Sequence, residues 1–134
     1  MTVVFADAFL YLALSNPSDA AHGRATAAVA SFIGKLVTTQ WVLTEVADGL
    51  ARSPRGRNWF VNYHAQLVTD PNVRIVPFSD ELFTARLDLY ARRPDKQWSL
   101  TDCVSFVVMG RDGITEALTG DHHFEQAGFT ALLE

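Results

Sequence analysis

The stretch Thr2-Val3-Val4-Phe5-Ala6-Asp7-Ala8-Phe9-Leu10-Tyr11-Leu12-Ala13-Leu14-Ser15 decides the fold class. Thr2 to Ala6 is short, β-branched and apolar without alternation, which is the pattern of a strand buried on both faces. Ala8 to Ser15 reads as a helix stopped by Asn16-Pro17. Between them stands Asp7, the only charged residue from Thr2 to Ser15. A doubly buried strand feeding directly into a helix belongs to a parallel sheet covered by helices. The apolar run Val3 to Leu14 is too short for a membrane span of about 20 residues. It also lacks a basic leader and carries a carboxylate, which argues against a secretion signal.

The same alternation continues along the chain. Helices are predicted over Asp19 to Leu36, Gln40 to Arg52, Asn58 to Thr69, Ser79 to Arg93, Ser99 to Arg111 and His123 to Ala127. Strands are predicted over Val37 to Thr39, Val73 to Val76, Glu116 to Leu118 and Phe129 to Leu133. Asn16-Pro17, Ser53-Pro54, Asp70-Pro71 and Pro94 punctuate them. The helix from Ser79 is amphipathic, with Leu82, Phe83, Leu87 and Tyr90 on one side. The expected architecture is a three-layer α/β/α sandwich with a central parallel sheet of four to five strands, formed by one domain over residues 1–134. In such sheets ligands bind beyond the carboxyl ends of the strands, near the topological switch point.

Composition bounds the function classes. Net charge is −4, so there is no global basic field. Seven of the 11 basic residues nevertheless fall in two groups: Arg52, Arg55 and Arg57, and then Arg86, Arg92, Arg93 and Lys96. Each group serves equally well as a solvated helix end or as a grip on phosphates. Cys103 is the only cysteine, which excludes an internal disulfide and points to a reducing, cytoplasmic setting.

Four acids carry the chemistry. Asp7 lies at the carboxyl end of the first strand, where an isolated ionised carboxylate is costly unless paired or metal-bound; it is also placed to cap the Ala8 helix. Asp102 follows Ser99-Leu100-Thr101 in a capping-box pattern, yet the helix it opens is apolar nearly all round, which aims its start at the top of the sheet. Glu45 lies on the flank of its helix beside Val42 and Val46, whereas Asp48 falls on the opposite, solvated side. Asp121 follows the Glu116 strand and doubles as a turn residue or cap for the His123 helix. Acids gathered at one edge repel one another, and a hard divalent cation removes that conflict. An imidazole site built on Asp121-His122-His123 is the weaker reading, because adjacent residues rarely converge on one ion.

These segments together resemble the PIN domain, and within it the VapC-type toxins of bacterial toxin–antitoxin pairs. The resemblance rests on Val4-Phe5-Ala6-Asp7-Ala8, Thr44-Glu45-Val46, Ser99-Leu100-Thr101-Asp102-Cys103-Val104-Ser105-Phe106 and Thr119-Gly120-Asp121-His122-His123-Phe124-Glu125-Gln126-Ala127-Gly128-Phe129. It spans nearly the whole chain, and the last two segments are the most specific. It implies Asp7 and Asp102 as core Mg²⁺ or Mn²⁺ ligands, with Glu45 and Asp121 completing the site, and Thr101 and Ser105 as hydroxyls near the metal. It further implies metal-dependent endoribonuclease activity, a homodimer and a partner antitoxin. Arg52, Arg55, Arg57, Arg92, Arg93 and Lys96 would then grip RNA phosphates, and Trp41, Trp59 and Trp98 are candidates for stacking on bases or for the core. The alternatives are a PIN ribonuclease of RNA processing without an antitoxin and a non-catalytic binding module. A phospho-acceptor receiver fails, because it needs an acid pair after the first strand and a late lysine, and the last lysine is Lys96. A dehalogenase-like phosphatase needs Asp-x-Asp there, and position 9 is Phe9.

Overall fold

The computed structural model describes residues 2–134. In chain order the elements are β1 (Val3–Ala6), α1 (Ala8–Ser15), α2 (His22–Ser31), β2 (Lys35–Thr39), α3 (Gln40–Gly49), α4 (Pro54–Thr69), β3 (Val73–Val76), α5 (Asp80–Arg92), α6 (Leu100–Asp112), β4 (Glu116–Leu118), α7 (His122–Gln126) and β5 (Thr130–Ala131). All pairings are parallel, and the strand order is β3-β2-β1-β4-β5. The expected α/β/α sandwich with a parallel sheet is therefore the observed fold.

The central strand explains the layering. Val4, Phe5 and Ala6 are all buried, although successive residues point to opposite faces. Both faces of β1 are therefore covered. Helix α1 contacts α2, α3 and α4, and α3 contacts α4; α5 contacts α6, and α6 contacts α7; a contact between α3 and α6 joins the two groups. Phe5 stands opposite Val37 of β2 and Ala117 of β4. Truncating such a fully buried aromatic removes about 3–5 kcal/mol. The chain steps outward from β1 through β2 to β3, then returns to place β4 on the other side of β1. The switch point lies between β1 and β4, which puts the residues after Ala6 and after Leu118 side by side.

Three local readings change. The second helix stops at Ser31 rather than Leu36, because the chain must turn into β2. Lys35 N–H donates to Thr2 O at 2.9 Å. Gly34 adopts φ +148°, and a Cβ there would stand 2.2 Å from that same carbonyl. Helix α4 starts at Pro54 rather than Asn58: Ser53 Oγ accepts from Gly56 N–H at 2.9 Å, with proline in the first turn. Ser53-Pro54 thus both separates α3 from α4 and opens α4.

The amphipathic α5 presents its faces differently from expectation. Arg86 is the buried member, flanked by partly buried Leu82, Ala85 and Leu89. Its guanidinium lies 5.0 Å from the Trp41 ring and 4.6 Å from the Phe83 ring. Arg86 therefore leaves the surface basic group in which the sequence places it. Phe83, Leu87 and Tyr90 remain 46%, 46% and 49% exposed, so this apolar side of α5 is uncovered in the single chain. Among the described residues no helix is long and apolar enough to cross a membrane.

Candidate active site

Asp7 begins the site, immediately after β1. It occupies the N-cap position of α1 but makes no side-chain cap bond. Its carboxylate instead accepts from Thr119 Oγ1 at 2.8 Å, a bond between residues 112 positions apart that the β1–β4 pairing makes possible. Both residues are buried. Burial pushes the Asp7 carboxyl up to about 7; the Thr119 hydroxyl and the Ala8 amide pull it down, while Asp102 and Glu45 add to the rise.

Asp102 opens α6 through a complete capping box. Asp102 N–H donates to Ser99 Oγ at 3.0 Å, and Ser99 N–H donates to Asp102 Oδ2 at 3.1 Å. The same carboxylate also belongs to the site. Its pKa is raised, first by burial and then by Asp121, against the Ser99 amide and His123, which lower it. Capping and site membership are thus both true of Asp102.

Glu45 is an exposed residue on α3. Its carboxyl is nonetheless raised, first by partial burial and then by Asp102 and Asp121. Asp121 follows β4; its amide donates to Thr119 Oγ1 at 3.0 Å, and its Oδ1 accepts from His123 N–H at 2.9 Å. Each of the four acids is therefore electrostatically linked to at least two others. Among the described residues no lysine or arginine pairs with any of them; only His122 and His123 lie within ion-pair distance.

Other expected members fall elsewhere. Ser105 is fully buried and donates to Thr101 O at 2.9 Å, so its hydroxyl is tied to its own helix. Thr101 is partly buried. Trp98 is buried, donates from Nε1 to Gln126 Oε1 at 3.0 Å, and packs edge-on against Phe106. It is core, not a platform for bases. Trp41 packs edge-on against Phe78, and Trp59 stacks on Tyr63. Of the basic groups, Arg92 pairs with Asp88, Arg93 with Asp95, and Lys96 with Asp95 at 3.8 Å. Arg57 donates to Ala51 O at 2.8 Å. Arg52 and Arg55 are exposed and form no ion pair among the described residues.

Thr119 is a contributor the sequence reading does not single out, and His123 enters that reading only as part of an imidazole site. Each stands two positions from Asp121, at the carboxyl end of a strand already flagged for chemistry; that placement was the available signal. Gly120 between them has a packing reason, since a Cβ would come within 2.6 Å of the Phe9 ring. The structure also brings Asp121, His122 and His123 together, with ligand atoms within 4.8 Å of one another. This is closer than adjacency in sequence suggested, although His122 is exposed and His123 Nδ1 faces Asp102 Oδ2 at 3.0 Å.

Comparison with known proteins is consistent with this geometry. The PIN domain model matches residues 6–130. The chain belongs to the PIN-domain family. It is 31% identical over 97% of its length to the 23S rRNA-specific endonuclease VapC20 of Mycobacterium tuberculosis, covering 98% of that protein. The crystal structure of M. tuberculosis VapC20, described as a sarcin-ricin-loop-cleaving toxin, superposes with a TM-score of 0.85 at 30% identity, covering 95% of this chain and 96% of that one. FitAcB from Neisseria gonorrhoeae shares the fold at a TM-score of 0.66 and 18% identity, over 96% of this chain and 94% of that one. VapBC2 from Rickettsia felis, bound to a promoter DNA fragment, shares it at 0.66 and 10%, over 97% of each chain. The resemblance to PIN nucleases read from the four acidic segments is thereby borne out, and this PIN domain is an enzyme of the metal-dependent nuclease class.

Proposed function

We propose that this chain, as a single nuclease unit over residues 1–134, is a Mg²⁺-dependent endoribonuclease and the toxin of a toxin–antitoxin pair, acting in the cytoplasm. One observation carries the chemistry: four carboxyls in mutual electrostatic contact, without a lysine or arginine partner among the described residues, gather near the switch point of a parallel sheet. Oxygen donors in that number suit a hard divalent cation. Asp7 and Asp102 would hold it, with Glu45 and Asp121 completing the set; Mn²⁺ would serve in place of Mg²⁺. The bound cation supplies an activated water and neutralises charge on the phosphate being cut.

The chain's own residues prepare that site. Thr119 orients Asp7 by its hydroxyl and receives the Asp121 amide on the same oxygen. The Ser99 box fixes where Asp102 leaves its helix. Arg52 and Arg55 offer unpaired charge to RNA phosphates, with Arg57, Arg92, Arg93 and Lys96 as weaker contributors because each is already engaged. The uncovered side of α5, Phe83, Leu87 and Tyr90, supports a homodimer. A covering antitoxin is supported by the likeness to a toxin over nearly the whole chain.

The 23S rRNA specificity of VapC20 makes large-subunit ribosomal RNA the first substrate to test. Purified protein incubated with ribosomes and Mg²⁺ or Mn²⁺ should produce discrete cuts, mapped by primer extension, and chelation should abolish them. Cleavage retained in both Asp7→Asn and Asp102→Asn would sink the mechanism. Growth arrest on expression, relieved by a neighbouring gene product, separates a toxin from an RNA-processing nuclease.

A further inference from the structure

Asp102 Oδ2 is contacted twice. It accepts the Ser99 amide at 3.1 Å and faces His123 Nδ1 at 3.0 Å. The capping box accounts for the first contact, since it needs only Ser99 and Asp102. It does not account for the second, because His123 belongs to α7, 21 positions further on. With Asp102 ionised, as a cation ligand has to be, a bare ring nitrogen at that distance would be repulsive, so in that state Nδ1 carries the hydrogen and donates it. The His123 backbone amide meanwhile donates to Asp121 Oδ1 at 2.9 Å. One residue thus holds two of the four acids, Asp102 by its ring and Asp121 by its backbone.

The support behind His123 is rigid. Phe124, the next residue, is fully buried and packs edge-on against Phe106 of α6 at 5.0 Å. Gln126 accepts from Trp98 across the same junction. Helix α7 is therefore locked against the helix that carries Asp102. The His123 side chain is itself only 18% exposed. Among the described residues Asp102 Oδ1 takes no hydrogen bond.

We propose that His123 is a positioning residue for the cation-binding carboxylates: its Nδ1–H holds Asp102 Oδ2 and leaves Oδ1 as the ligand oxygen. This rests on the metal-site reading above. Without the ring, only the Ser99 amide restrains the Asp102 carboxylate. Groups that orient a metal ligand in this way are worth about 10–100-fold in metal affinity.

The test is a calorimetric titration of the chelator-treated protein with Mn²⁺ alone. His123→Ala should weaken binding by about 10–100-fold. His123→Asn, whose amide nitrogen can occupy the place of Nδ1, should recover most of the loss; His123→Gln, whose nitrogen reaches one carbon further, should not. A purely structural role would not separate Asn from Gln, and that comparison stands even where the alanine variant folds poorly. Wild-type affinity in His123→Ala, or equal affinities for Asn and Gln, overturns the proposal. So does nitrogen hyperfine coupling in the electron paramagnetic resonance of bound Mn²⁺ that persists in His122→Ala and disappears in His123→Ala, which would make His123 a ligand. Asp7→Asn is the control on the site itself. If the wild type binds Mn²⁺ no better than Asp7→Asn, the metal-site reading falls and takes this proposal with it; if the wild type binds and only the His123 series is flat, the positioning role alone is lost.

Discussion

At the amino ends of the strands Arg74 pairs with Asp112 beside the exposed Lys35, whereas at the carboxyl ends Asp7, Glu45, Asp102 and Asp121 face one another with no lysine or arginine partner among the described residues. The amino end is an ordinary solvated edge, where opposite charges meet in water and contribute little. The carboxyl end works against the metal-free fold, since burial and neighbouring like charges raise the carboxyls of Asp7, Glu45 and Asp102 and make their ionisation unfavourable. A sheet needs no such arrangement to be stable. The contrast within one sheet is what supports the proposed placing of the chemistry, because strongly perturbed, unpaired acids concentrate at functional sites.

The largest effect that sharpens this contrast is on catalysis. Asp7→Asn or Asp102→Asn should lower RNA cleavage by at least about 10²–10³-fold, while Arg74→Ala at the opposite end should leave the rate unchanged. A similar loss from both ends, in a gel assay of the same RNA, would break the comparison.

Stability comes next and has the opposite sign. Asp7 titrates near 7 in the metal-free fold, against about 3.9 in an unfolded chain. Between those values the folded state holds more protons, so stability falls as pH rises from about 4 to about 7. At pH 8 with chelator, Asp7→Asn should therefore be more stable than the wild type by about 2–4 kcal/mol. Urea denaturation at pH 8 and again at pH 4, where the difference should vanish, measures this. Saturating Mn²⁺ should narrow the gap by stabilising the wild type.

RNA affinity tests the two basic groups. Arg52→Ala and Arg55→Ala should each lower the slope of log affinity against log salt by about 1. Arg92→Ala should lower it less, because Asp88 already compensates that charge. The smallest effect belongs to the amino edge: removing the exposed Arg74–Asp112 pair should change stability by about 0.2–1 kcal/mol in a thermal melt.

Much of this was legible in the sequence. The first strand and helix, Val3–Ala6 and Ala8–Ser15, follow the sequence reading almost residue for residue, because their signals are local: a doubly apolar run, then Asn16-Pro17 as a stop. The capping box at Ser99 is equally readable, being a four-residue pattern. Readings failed where a distant partner decided the outcome. The helix from Asp19 was carried too far because nothing near Gly34 announces that Thr2 O will take the next amide. The sequence places Arg86 with the surface basic residues because its burial depends on Trp41 of α3 packing against α5, a contact no local pattern announces. For Trp98 the sequence allows both core and RNA stacking, and the bond from its indole N–H to Gln126, 28 positions on, decides for the core.

The sequence by itself determined the order of elements, the three aspartates at strand and helix ends and Glu45 on its helix flank, since periodicity and capping act within a few residues. Only the tertiary structure decided that β4 returns beside β1. That pairing brings Thr119 to Asp7 and His123 to Asp102, and it joins the acids into one electrostatic unit. The physical reason is range: hydrogen bonds across 112 and 21 positions depend on how strands pair, and no short pattern encodes a pairing on its own.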